Sequence, residues 1–198
     1  IDFGPDGRMW VAEMPDYYRY TNDEFTPHGS IQVLTDRDGD GRYDAASTFC
    51  DGLKFPTDVL VWKKGAIVCD APDVIYFEDA DGDGKAETRK VLLTGFETHN
   101  AQARVNSLRW GLDNWLYGSC GIFGGKIRTF TGEEIELGGR DFRFRPETGE
   151  FEPATGSTQQ GRARDDWGDW FGCENSSLMD HYPLEDRYLS RNPHMAPP

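Results

Sequence analysis

Apolar residues along this chain come in short runs and alternations that break at Gly, Pro or Asp. Phe3-Gly4-Pro5-Asp6-Gly7-Arg8-Met9-Trp10-Val11-Ala12-Glu13 reads as a turn followed by a mostly apolar strand, and Trp110 to Cys120 (WGLDNWLYGSC) repeats that shape. Between them, Val59 to Asp70 (VLVWKKGAIVCD) predicts strand, turn and strand, with the turn at Lys63-Lys64-Gly65. Phe142 and Phe144 alternate with polar residues before Pro146-Glu147-Thr148-Gly149, and Phe151 follows that tight turn. Runs of this length bounded by turn residues predict strands and hairpins.

The pattern recurs. Val33 to Leu53 maps onto Tyr76 to Phe96 at a constant offset of 43 residues, pairing Asp36 with Asp79, Asp44 with Glu87, Phe49 with Leu92 and Gly52 with Gly95. Each copy reads as strand, acidic turn, strand, then Gly and an apolar residue. With the preceding hairpin, one unit holds four strands in about 45 to 55 residues, the size of a propeller blade. The expected fold is therefore all-β: a β-propeller fragment of about three to four blades, truncated at both ends. The expected units are residues 1–53, 54–96 and 97–156, with 157–198 an irregular insertion or the start of a next blade. A β-sandwich with irregular hairpins is the alternative.

Composition sharpens this picture. Aromatic content of 13%, with 23 Gly and 11 Pro, favours strands and turns. A formal net charge of -14 repels phosphate backbones, so nucleic-acid binding is not expected. No apolar run is long enough to span a bilayer, so this segment is not expected to insert into a membrane. Cys50, Cys69, Cys120 and Cys173 show no zinc-type spacing. Three disulfide pairings and buried free thiols all remain open.

Much of the negative charge lies in two loops, DRDGDGRYD and DADGDGKAE. Asp36, Asp38, Asp40 and Asp44 in the first, and Asp79, Asp81, Asp83 and Glu87 in the second, occupy loop positions 1, 3, 5 and 9. The backbone carbonyls of Arg42 and Lys85, at position 7, would add one ligand each. Ca²⁺ is a hard cation that takes six to eight oxygens, which this spacing can converge. Position 12 is Ser47 or Lys90 and no helical pattern flanks either loop, so these are hairpin calcium loops and not EF-hands. A solvated acidic turn without an ion is the plainer reading, and recurrence in register argues against it.

Blade parity puts the calcium loops on one face and the inter-blade loops on the other. That second face would collect Asp16, Tyr17, Tyr18, Arg19, His28, Asp58, His99, Asn100, Gln102, Arg104 and Asn106. The segment after Gly156 would add Gln159, Gln160, Arg162, Arg164, Asp165, Asp166, Trp167, Trp170 and Asn175. His99 is the candidate general base, since histidine titrates near neutrality. Arg104 could steady an anion, and Trp167 or Trp170 could stack on a ring. The competing reading has His99 and Arg104 only stabilising the loop. No phosphate-cradling Gly loop, nucleophile elbow or H-E-x-x-H is present, so acyl and phosphoryl transfer have no support.

The order FGPDGRMWVAEMPDYY, DRDGDGRYD, DGLKFPTDVL, DADGDGKAE, HNAQARVNSLRWGLDNWLYG and TQQGRARDDWGDWFGCENS resembles a propeller family of planctomycetes and verrucomicrobia labelled as membrane-bound dehydrogenases. More distantly it is similar to soluble quinoprotein sugar dehydrogenases, which are six-bladed and use pyrroloquinoline quinone and Ca²⁺. The resemblance implies a periplasmic or secreted sugar or alcohol dehydrogenase, with electrons leaving through a c-type haem domain. His99, Arg104 and Asn106 would then be catalytic, and Asn100, Gln102, Asp58 and Trp167 would face the quinone. A non-catalytic propeller that binds carbohydrate or protein is the alternative.

Overall fold

A computed structural model describes residues 1–17, 26–192 and 194. The described chain is all-β, with seventeen strands in antiparallel sheets and one four-residue helix. No helix among the described residues is long and apolar enough to cross a membrane. The chain divides into two compact units, Ile1–Val91 and Leu92–Pro198. Tyr18 and Arg19 lie outside the described residues.

The first unit opens with a four-stranded meander of β1 (Asp2–Phe3), β2 (Met9–Glu13), β3 (Gly29–Thr35) and β4 (Ala45–Leu53). A second meander follows: β5 (Pro56–Trp62), β6 (Gly65–Asp70), β7 (Asp73–Glu78) and then β8 (Thr88–Phe96), which runs on into the second unit. Trp62 pairs with Gly65 across the expected Lys63-Lys64 turn, where Lys63 has a φ of 52°. β6 is buried at every position, which is why its sequence reads as a continuous run and not as an alternation. Trp10, Ile31, Val33, Phe49, Val59, Val68, Ile75 and Phe77 form the core of this unit. Phe49 meets Trp10 edge-on at 4.6 Å. Asp70 accepts hydrogen bonds from the Phe55 and Lys54 N–H groups at 2.6 and 3.2 Å, fixing the loop that enters β5.

In the second unit, β9 (Asn106–Trp110) and β10 (Leu116–Ser119) are followed by an extra hairpin, β11 (Gly125–Thr129) and β12 (Glu134–Glu136). β13 (Asp141–Phe144) and β14 (Phe151–Ala154) then complete a four-stranded sheet of order β14-β13-β10-β9. The extra hairpin was not anticipated. It falls between β10 and β13 in chain order but outside their sheet, and pairs β11 with the last residues of β8. Phe142 stacks on Phe151 at 5.6 Å and tilts against Phe96 at 5.1 Å, so the alternating phenylalanines form the core here.

The stretch from Ser157, expected as an irregular insertion or the start of a next blade, contains regular strands. It forms a three-stranded meander of β15 (Gln160–Arg164), β16 (Trp170–Glu174) and β17 (Ser177–Tyr182), followed by helix α1 (Asp186–Leu189). Its polar residues hid the strands because β17 is largely solvent-facing, with Leu178 98% and Met179 69% exposed. All four cysteines are free, which leaves the buried-thiol alternative in place of any pairing. Burial pushes the Cys50 and Cys120 thiols up to about 12, so neither ionises at neutral pH.

Gly95 shows why the repeat carries glycine at the end of its second strand. Its φ is 103°, and a Cβ there would stand 2.1 Å from the Lys126 carbonyl oxygen on β11. Gly95→Ala should therefore destabilise the protein by about 2 kcal/mol or more, through strain at positive φ and overpacking against backbone. Urea unfolding of both proteins checks this.

Candidate functional site

The two acidic loops join β3 to β4 and β7 to β8, and they fold alike bond for bond. In the first, Asp36 accepts N–H bonds from Gly39 and Gly41 at 2.7 and 2.9 Å. In the second, Asp79 accepts from Gly82 and Gly84 at 2.5 and 2.9 Å. Asp38 and Asp81 each accept from the N–H two residues on, as do Asp40 and Asp83, whose donors are Arg42 and Lys85. The loop glycines all have φ between 77° and 90°, with open space around the missing Cβ, so backbone conformation alone requires them. Donation from Gly41, with further donation from Gly39 and Asp40, holds the Asp36 carboxyl below its usual range despite some desolvation.

The carboxylates converge. Asp79, Asp81, Asp83 and Glu87 each offer an oxygen, all within 4.8 Å of one another, and Asp36, Asp38 and Asp40 do the same. Asp44 is the expected ligand that stays out of its cluster. Both position-9 acids also tie the loop closed: Asp44 accepts from Arg37 N–H at 3.2 Å and Glu87 from Ala80 N–H at 2.7 Å. The glutamate side chain is one methylene longer, which lets it close the loop and still reach the cluster. The donor sets are all hard carboxylate oxygens without nitrogen or sulfur, which suits Ca²⁺.

The residues expected to do chemistry divide differently. Asp58 lies in the first unit, buried on β5. Asp16 is also buried there and accepts from the His28 N–H at 2.9 Å, with His28 Nδ1 3.2 Å away. In the second unit, the 98–106 loop and the segment at Gln159 and Gln160 come together through hydrogen bonds. Asn106 Nδ2 donates to the Arg104 and Gln159 carbonyls at 2.6 and 2.8 Å, and its Oδ1 accepts from Ser107. Gln159 and Gln160 both donate to the Gln102 carbonyl, and Asn100 Oδ1 accepts from Gln102 N–H. Buried Arg104 donates to the Thr98 carbonyl at 2.7 Å. These bonds commit the Asn100 and Asn106 side chains to holding the loop.

His99 is exposed, with Nδ1 3.2 Å from Glu97 and its ring edge-on to Phe123 at 4.4 Å. Trp167 is 85% exposed. Of the second-unit residues expected to hold a quinone, Asn100 is engaged in its own turn and Trp167 stands in solvent. Gln102 is exposed as well, so this arrangement gives a quinone no support.

Sequence reasoning missed the most buried charge pair. Asp141, at the start of β13, is completely buried and receives donors from Cys120 N–H, Thr158 N–H, Thr158 Oγ1 and Arg162 Nη1. Burial raises its carboxyl above the ordinary range, opposed by the Arg162 charge and the Thr158 donors. Arg162 lies 4.9, 5.4 and 5.6 Å from the ring centres of Trp170, Tyr182 and Tyr117. Arg162, but not Asp141, lines a cavity of about 450 Å³ within the second unit. Arg162 and Trp170 were singled out as polar-loop residues; Asp141 and Tyr182 carried no local motif.

No match is found among curated proteins. A family model described as a domain of unknown function, DUF7133, matches residues 1–198. Since that match runs the length of the sequence, the chain belongs to the DUF7133 family.

Proposed function

We propose that this chain is a calcium-binding segment of a β-propeller, in which each acidic loop holds one Ca²⁺ and stiffens the outer hairpin of its blade. The observation that carries the reading is the duplicated loop: equivalent positions, 43 residues apart, make the same hydrogen bonds, and three aspartates of each loop bring a carboxylate oxygen within 4.8 Å of one another. Without a cation, three or four carboxylates held this close repel one another. A divalent ion removes that cost and supplies the bonds the oxygens lack.

The blade reading draws its support from the antiparallel meanders, β1 to β4, β5 to β8 and the sheet of β9, β10, β13 and β14. These correspond to residues 1–53, 54–96 and 97–156, with β15 to β17 opening a further blade. In that arrangement the loops brace strands and take no part in chemistry.

The loops should differ in strength. Glu87 joins its cluster and Asp44 does not, so the second loop should bind Ca²⁺ more tightly. Calcium titration by calorimetry should resolve two classes of site. Asp44→Glu should tighten the weaker class, and Glu87→Asp should weaken the stronger. Two classes unmoved by either substitution would count against this assignment.

The dehydrogenase reading draws support from one contact, His99 Nδ1 lying 3.2 Å from Glu97, which orients the ring of an exposed histidine. Dye reduction by the full-length protein with sugars or alcohols, lost in His99→Ala, would carry it. Absence of turnover from folded, calcium-loaded protein leaves a non-catalytic binding domain.

A further inference from the structure

The cavity of about 450 Å³ in the second unit has walls from the β13–β14 hairpin, the β16–β17 hairpin and helix α1. Its size is within the range of small-molecule sites. It is separate from the acidic loops, and none of the residues read above as catalytic or quinone-facing lines it.

Which charges of the wall already have partners decides what could enter. Arg143 has Glu152 at 2.6 Å and Glu185 at 3.6 Å. Arg187 has Glu185 at 3.0 Å, and Asp186 has Arg140 at 2.9 Å. These groups are settled among themselves.

Two others are not. Arg162 lines the cavity and is only 2% exposed. Its Nη1 donates to Asp141 and to the Thr155 carbonyl, but neither Nε nor Nη2 has an acceptor among the described residues. Nε and Nη2 form one edge of the guanidinium, a fork that takes both oxygens of a carboxylate side by side. The rings of Tyr117, Trp170 and Tyr182 stand around the group, and a shielded donor without an acceptor is costly. Asp169 is the second group. Its one ion-pair partner among the described residues is His181, whose Nε2 is 3.7 Å away, beyond hydrogen-bonding reach.

The unmet needs are opposite in kind: a donor edge lacks a carboxylate, and a carboxylate lacks a cation. An anion alone would serve Arg162 and bring a like charge toward Asp169, Glu152 and Glu185. A cation alone would serve Asp169 and leave the buried edge empty. A molecule with a carboxylate at one end and an ammonium at the other serves both, and adds no net charge to the wall. Trp170, Pro183 and Leu184 offer apolar surface to the carbon skeleton between its ends.

We propose that this cavity binds a small zwitterion, an amino acid, whose carboxylate bonds the Nε and Nη2 edge of Arg162 and whose ammonium pairs with Asp169. This rests neither on calcium in the loops nor on the dehydrogenase reading.

The test is calorimetry and saturation-transfer NMR of the full chain with L-leucine, γ-aminobutyrate and ε-aminohexanoate, which differ in the spacing of their charges. Each is compared with its N-acetyl form, which keeps only the carboxylate, and its amide, which keeps only the ammonium. At least one zwitterion should bind, and at least about tenfold more tightly than either of its blocked forms, since each loses a charge-assisted bond. Asp169→Asn removes one exposed charge, so the fold should be kept, as checked by circular dichroism and melting. It should weaken the zwitterion to the level of its N-acetyl form and leave the N-acetyl form itself no weaker, whereas a general distortion of the cavity would weaken both. Arg162 is left unchanged because its loss would uncover Asp141. The proposal is overturned if the folded protein binds none of the three zwitterions, if a blocked form binds as tightly as its parent compound, or if Asp169→Asn leaves zwitterion binding unchanged or weakens both forms alike.

Discussion

Chelating calcium should lower the melting temperature of the full-length protein by on the order of 10 °C, and the double variant Asp38→Ala, Asp81→Ala should melt there with or without chelator. A ligand bound only by the folded state stabilises it by about 2.7 kcal/mol when present at a hundredfold its dissociation constant. Two independent loops would together contribute about 5 kcal/mol at that saturation. For a domain near 200 residues, each kcal/mol is worth about 2–4 °C. Asp38 and Asp81 are the residues to change because each sits inside its cluster and accepts from the N–H two residues on, without forming the backbone bonds to Asp36 and Asp79. Their loss removes a ligand without cutting the Asp36 and Asp79 bonds that shape the turns. Differential scanning calorimetry with and without chelator reads the effect. An identical melting curve in all four conditions would mean that the loops hold no stabilising ion.

Arg162→Met should cost about 3–5 kcal/mol, a large share of the roughly 5–15 kcal/mol by which domains are stable. The substitution leaves Asp141 completely buried, with donors from Thr158 and Cys120 but without its counter-charge. The added variant Asp141→Asn should recover part of the loss, since the buried charge is then gone, and the non-additivity measures the coupling. The pH dependence has a definite sign. Burial already raises the Asp141 carboxyl, and removing Arg162 raises it further. The folded variant then binds this proton more tightly than the unfolded chain does. Its stability should be greatest below the ordinary carboxylate range and fall as pH rises from there through the raised native value. Urea unfolding between about pH 4 and 8 should therefore show the deficit growing with pH. A deficit that shrinks with rising pH would contradict the account of this pair.

How much of this was legible in the sequence follows from how local each signal is. The acidic turns were legible because their geometry is set by neighbours within nine positions: glycines supply positive φ, and Asp36, Asp38 and Asp40 each accept from an N–H two to five residues on. The single departure, Asp44, turns on one methylene of reach. The β5–β6 hairpin was readable from its turn between two short apolar runs, and the phenylalanine alternation in β13 from its strand period.

The β11–β12 hairpin was not legible, because its strands are short and its partner, the end of β8, lies about thirty residues earlier. β17 was missed for a different reason: with Leu178 and Met179 facing solvent, its pattern lacks the inward apolar side that marks a strand. Arg162 was read as one polar residue of a loop face, and Asp141 carried no signal of its own. Only tertiary structure brings them together across 21 residues and buries them. Asn106, which the resemblance would make catalytic, uses its amide to tie two loops, a role that only tertiary structure reveals.

The most direct measurement is the metal content of the protein after extensive dialysis against buffer with trace Ca²⁺, by inductively coupled plasma mass spectrometry. The account predicts two calcium ions per chain, falling to one in Asp81→Ala and to none when Asp38→Ala is added. Folded parent protein that carries no calcium, or that keeps two ions in the double variant, would contradict it.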